Sequence, residues 1–101
     1  MVKAKFSDLI NPDKPVLIDF YADWCQPCHM LAPILKDVKD ELGEQIQIIK
    51  VNTEVNPNVA AKYQIRGIPT MILFKDGKQL WRQSGVLPKE HIMQAIQPHL
   101  N

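Results

Sequence analysis

Runs suited to buried β-strands alternate with segments of helical period along this chain, and that alternation restricts the fold more than any other feature of the sequence. Pro15 to Tyr21 (PVLIDFY) is a near-continuous apolar run, the pattern of a strand covered on both faces. Pro27 to Leu42 carries Leu31, Ile34, Leu35, Val38 and Leu42 at helical spacing, and Gly43 fits its stop. Ile46 to Val51 ends in the β-rich IIKV and reads as the next strand. Asn56-Pro57 sets a cap before a proline at the first helical position and opens a short helix through about Tyr63. Thr70 to Lys75 and Lys78 to Gln83 flank Asp76-Gly77, a hairpin signal. Lys5 to Asn11 reads as a short opening helix, and Pro88 opens a last helix that Pro98 helps to close. The order α-β-α-β-α-β-β-α implies a parallel strand pair with a right-handed crossover and an antiparallel closing hairpin. The expected architecture is α/β, a mixed sheet of about four strands with helices on both faces.

A length of 101 residues is one domain's worth of chain, so 1–101 is read as a single domain. Hydrophobic residues make up 46% and charged residues 23%, the mix of a globular protein rather than a disordered one. A formal net charge of +1 gives no electrostatic case for nucleic acid or an anionic membrane. No apolar run approaches the roughly 18 residues of a membrane span. The first residues, MVKAKFSD, contain no apolar export signal, so the expected compartment is cytoplasmic and reducing.

Cys25 and Cys28 are the only cysteines and are spaced C-x-x-C. As a staple this pair would constrain the unfolded chain little, because so short a ring removes only about 2 kcal/mol of loop entropy. Redox or metal chemistry is the stronger reading. Cys25 falls at the start of the long helix, where free N–H groups and the positive dipole end favour a thiolate, the nucleophilic form. Cys28 lies one turn on and is expected to be the resolving thiol, less exposed and with the higher pKa. Pro27 fits the first helical turn. Pro33, inside the helix, is expected to kink it by removing one backbone bond and crowding the His29 carbonyl. Asp19 interrupts an apolar strand. It is either a buried acid whose pKa desolvation raises, able to take a proton from Cys28, or a partly solvated strand residue.

Asp19-Phe20-Tyr21-Ala22-Asp23-Trp24-Cys25-Gln26-Pro27-Cys28 resembles the active-site segment of the thioredoxin family. Gly67-Ile68-Pro69-Thr70 and Phe74-Lys75-Asp76-Gly77 resemble that family's later signatures, in the same order, and the likeness runs from about Phe6 to Leu100. The resemblance implies the thioredoxin fold, with four main strands because there is almost no room for an N-terminal strand, which is short or missing. It also implies a protein-disulfide reductase in which Cys25 attacks a client disulfide and Cys28 resolves the mixed disulfide. It carries Asp19 over as the buried acid and Lys50 as the lysine near it. For Lys50 an exposed strand-end charge is the plain alternative.

Further implied are a cis bond at Ile68-Pro69, and a docking surface of Trp24, Pro27, Gly67, Ile68, Pro69, Gly85 and Val86 around Cys25. Extended client segments would pair with the backbone of the Ile68-Pro69 loop. No cofactor is bound. The redox-active disulfide Cys25-Cys28 is restored by thioredoxin reductase, which brings electrons from NADPH through a flavin. The partners are that reductase and disulfide-containing clients, and the protein acts as a monomer without nucleic acid, membrane or metal. The chain departs from the family pattern at Gln26, usually Gly; at His29, usually Lys or Arg; and at Tyr21, often Trp. Gln26 and His29 are therefore read as redox-tuning positions, a protonated His29 favouring the Cys25 thiolate.

Three rivals follow from the same residues. Cys25-Gln26-Pro27-Cys28-His29 matches the C-x-x-C-H haem-attachment pattern, which also needs an axial partner and a large apolar pocket. A closed zinc site needs about four ligands, and Cys25, Cys28 and His29 supply at most three, with His91 and His99 at the wrong spacing on the last helix. A thioredoxin-fold binding module would not need the cysteine pair.

Overall fold

In a computed structural model of the chain, residues 5–101 are described. Their elements are α1 (Phe6–Leu9), β1 (Val16–Tyr21), α2 (Gln26–Leu42), β2 (Gln47–Asn52), α3 (Pro57–Lys62), β3 (Thr70–Lys75), β4 (Lys78–Ser84) and α4 (Lys89–Ile96). Two short 3-10 turns, Gly43–Gln45 and Gln97–His99, follow α2 and α4. Among the described residues the sheet has four strands in the order β2-β1-β3-β4. β1 runs parallel to β2, with Asp19 opposite Lys50. It runs antiparallel to β3, which is antiparallel to β4. A short or missing N-terminal strand would fall on residues 1–4, outside the described residues.

The alternation of β1 sets the layers. Val16, Ile18 and Phe20 face one side, where they pack with Ile10, Val51, Ile72 and Phe74 and meet Phe6, Val59, Tyr63 and Ile65 from the α1 and α3 region. On that side the rings of Phe6, Tyr63 and Phe74 lie 5.4–6.0 Å apart, within the range of attractive aromatic contact. Leu17 faces the other side with Met71 and Leu73, under Leu31, Leu35, Val38 and Leu42 of α2 and Ile92 and Ile96 of α4. Asp19 and Tyr21 share that second face by the two-residue period. The helices therefore cover both faces, and the one acid of β1 is turned toward α2.

Local differences from the expected elements have local causes. The opening helix is one turn long and stops at Leu9, short of Asn11. Asn56 occupies the position before α3 without capping it: its Nδ2 donates to the Asn52 carbonyl instead (3.0 Å). α2 runs through Pro33 as one helix. Pro98 lies within the closing 3-10 turn, so His99 is off α4 altogether. β3 and β4 carry a register shift at Leu73/Phe74 that leaves Leu80 without a partner. The extra residue breaks strict alternation, and Leu80 and Trp81 both pack on the α2/α4 core.

The hairpin forms at Asp76-Gly77, where both residues have positive φ (53° and 77°), as its sense of twist requires. Its two N–H groups donate to the Pro12 and Ile10 carbonyls (2.8 and 2.9 Å), tying the hairpin tip to the loop before β1. A Cβ at residue 77 would meet only Asn11 Oδ1, at 3.6 Å, so the backbone alone demands glycine. Gly77→Ala is expected to lower stability by roughly 1–2 kcal/mol. Urea denaturation should show a lower midpoint at an unchanged m-value.

Candidate active site

Cys25 ends the loop after β1 and is the N-cap of α2, so Gln26 and Pro27 form the start of the first turn. Proline is tolerated there because that N–H has no intrahelical acceptor. The Cys28 N–H donates to Cys25 Sγ (3.2 Å), which directs one of the helix's free donors at that sulfur. Cys25 and Cys28 are joined in a disulfide with Cα atoms 5.3 Å apart. Ala22 packs beside them, with Tyr21 and Ile68 against the cluster.

Cys28 was expected to be the less exposed sulfur, but both residues are 3% exposed. In the bonded form each sulfur covers the other and Ile68 packs over the pair, so the asymmetry between them lies in the helix terminus rather than in burial.

The Ile68-Pro69 bond is cis. The Ile68 carbonyl oxygen lies 3.7 Å from Cys25 Sγ, which brings this loop to the disulfide. Gly85 N–H donates to the Pro69 carbonyl (2.8 Å) and so joins the same margin. Gly67 is exposed, Ile68 half-buried and Pro69 buried. Val86 is half-buried against the α2/α4 core, which leaves only part of it for the surface. Trp24 is 71% exposed. Its indole N–H donates to Glu54 Oε1 across the loop after β2, a partner that sequence inspection misses because Glu54 lies 30 residues away.

Asp19 is fully buried, and neither carboxyl oxygen has a hydrogen-bond partner. It lies at a cleft of ≈ 230 Å³ lined also by Ala32, Leu35, Lys36, Lys39, Ile48 and Lys50. Ala32 is one helical turn beyond Cys28, so the acid sits against the same helix face just below the resolving position. Burial pushes its pKa from 3.8 to about 6, against the opposing pull of the Lys50 charge. The partly solvated alternative for Asp19 is thereby excluded. For Lys50 both readings hold: the residue is exposed, and it stands beside Asp19 with Nζ 4.4 Å from the Tyr21 ring centroid.

Gln26 and His29 are exposed. His29 Nε2 donates to the Asp23 carbonyl (2.7 Å), so the residue of the C-x-x-C-H pattern is engaged with the preceding loop. Among the described residues no three His, Cys, Asp or Glu side chains are grouped to hold a metal ion. No helix there is long and apolar enough to cross a membrane.

The family model for thioredoxin matches residues 1–98. The chain belongs to the thioredoxin family. A chloroplastic thioredoxin Y2 of Arabidopsis thaliana is 49% identical over 96 residues, covering 94% of this chain and 58% of the relative. The chloroplastic thioredoxin Y of rice is 44% identical over 98 residues, again 58% of its length. This thioredoxin-family chain thus spans little more than half of those relatives. Thioredoxin 1 of Synechococcus elongatus is 40% identical over 93 residues, which cover 92% of this chain and 87% of the relative. The four-stranded mixed sheet between helices agrees with the thioredoxin fold.

Proposed function

We propose that residues 1–101 act as one thioredoxin domain that reduces protein disulfides. The observation that carries this reading is the Cys25–Cys28 disulfide at the start of α2, with the Cys28 N–H aimed at Cys25 Sγ. In the reduced form that donor and the helix dipole favour the Cys25 thiolate. The thiolate attacks one sulfur of a client disulfide, and the other client sulfur leaves as a thiolate and takes a proton from water. Cys28 then gives its proton to Asp19, directly or through a water, and its sulfur attacks Cys25 Sγ. The client's second thiol departs reduced, and the two electrons it gained have come from the Cys25/Cys28 pair, now oxidised.

A base with a pKa of about 6 suits this role, being mostly ionised near neutrality yet only weakly acidic. Lys50 beside it favours the carboxylate and so keeps the base available. Trp24, Pro27, Gly67, Ile68, Pro69, Gly85 and Val86 form the client-docking margin. The backbone of the Gly67-Ile68 segment pairs there with an extended client segment. Gln26 and His29, on the exposed first turn, set the potential.

The protein works as a monomer in a reducing compartment, the cytoplasm, in electron transport and cell redox homeostasis. Its partners are disulfide-containing clients and thioredoxin reductase, whose NADPH and flavin supply the electrons. The test is insulin reduction with NADPH and a thioredoxin reductase. NADPH consumption should require this protein, and Cys25→Ser should abolish it. Consumption equal with and without the protein would refute the reductase reading.

A further inference from the structure

The loop that meets the disulfide has no secondary structure between α3 and β3, yet it must hold the Ile68 backbone in one place. Its entry is strained. Gln64 has φ 52°, a left-handed conformation uncommon for a residue with a side chain. The Tyr63 and Gln64 carbonyls there lie at the end of α3, where helical partners run out.

Arg82 of β4 meets this entry. Its Nη1 donates to the Tyr63 carbonyl and its Nη2 to the Gln64 carbonyl, the latter at 2.8 Å. The exit is held from the start of β3 and from the residue that follows β4. Thr70 Oγ1 donates to the Gly67 carbonyl (2.6 Å) and therefore accepts from Ser84 Oγ (2.9 Å). Gly85 N–H holds the Pro69 carbonyl. Arg82 and Ser84 are two residues apart and so project to one side of β4. Arg82 thus holds the entry of the docking loop directly, while its exit is held by Thr70 of β3, with Ser84 behind it, and by Gly85 just after β4.

We propose that Arg82 is a positioning residue for client recognition: its forked guanidinium fixes the left-handed turn at Gln64 and so sets the register in which Gly67-Ile68 is offered to a client backbone. The inference rests on the disulfide-reductase reading. A planar fork is needed because two carbonyls must be held at once, which one ammonium group cannot do with the same geometry. The Cys28 N–H that reaches Cys25 Sγ belongs to α2 and not to this clamp, so the main source of Cys25 reactivity stays in place when Arg82 is changed.

The test compares two disulfides against the reduced protein: insulin, which has a peptide backbone to pair, and 5,5′-dithiobis(2-nitrobenzoate), which has none. For Arg82→Met the rate constant with insulin should fall about tenfold, the scale for losing a charge-assisted hydrogen bond. The rate with the small disulfide should stay within about twofold. Arg82→Lys should recover part of the insulin rate, and it carries the test alone if Arg82→Met does not fold, with a smaller loss confined to insulin. Equal losses with both disulfides, or no loss with insulin, would overturn the proposal. A wild-type protein that reduces neither would instead overturn the reductase reading itself.

Discussion

Replacing Asp19 by Asn should stabilise the oxidised protein by about 3 kcal/mol at pH 8 and by almost nothing at pH 3.5. Asp19 is fully buried with both oxygens unpartnered, and its carboxyl titrates near 6 in the folded chain against 3.8 as an ordinary aspartate. Between those values the unfolded chain has released the proton and the folded chain has kept it. Stability from this group is therefore complete below pH 3.8, falls as pH rises, and is lost once pH passes about 6. The difference between the two values corresponds to about 3 kcal/mol.

Asparagine resembles the protonated acid in shape and in lacking partners, so the two proteins should match at low pH. Other titrating groups are common to both and cancel in the difference. Urea denaturation of the disulfide-bonded forms at several pH values measures this. Parallel stability curves for the two proteins would show that the acid is not held away from water. On the proposed mechanism the same substitution removes the base, and resolution of the mixed disulfide should slow by on the order of 10²-fold at neutral pH. On the proposed mechanism, a destabilising acid at this position trades stability for proton transfer.

Asp19 also marks where the sequence stops being readable. The strand itself was legible, because PVLIDFY is apolar at every position but Asp19. Position 19 was not settled by that pattern, since a continuous apolar run does not say which neighbours cover each face. Only the packing of α2 over Leu17 and Asp19 closes the question. The hairpin was legible because Asp76-Gly77 has the backbone freedom the turn demands. The bulge at Leu80 was not, because it arises from pairing with β3.

At the site, Cys25, Cys28 and Pro27 were readable from their spacing at a helix start. Gly67 to Pro69, Gly85 and Lys50 were singled out only through the family resemblance. The Trp24–Glu54 and Arg82–Tyr63 hydrogen bonds escaped, because each is a contact made across the fold with no local signature.

Removing either cysteine should abolish turnover, but only one of the two losses should leave a covalent trace. With Cys28→Ser the helix terminus is intact, because the N–H that reaches Cys25 Sγ belongs to the backbone of residue 28. Cys25 still attacks, and a serine hydroxyl cannot displace it, so the client remains bonded to the protein. Incubation of reduced Cys28→Ser with insulin should yield a 1:1 adduct visible on a non-reducing gel and dispersed by dithiothreitol. With Cys25→Ser the remaining thiol is Cys28, one turn inside the helix, where its backbone N–H is the donor and its own sulfur receives none of the N-cap geometry. Its thiolate is not favoured in the same way, and adduct formation should be roughly ten- to a hundredfold slower, the scale of an order of magnitude or two in thiolate population. Adduct on Cys25→Ser and none on Cys28→Ser would reverse the two roles. Equal trapping on both would mean that the helix start does not distinguish the sulfurs, and the directional mechanism would have to be abandoned.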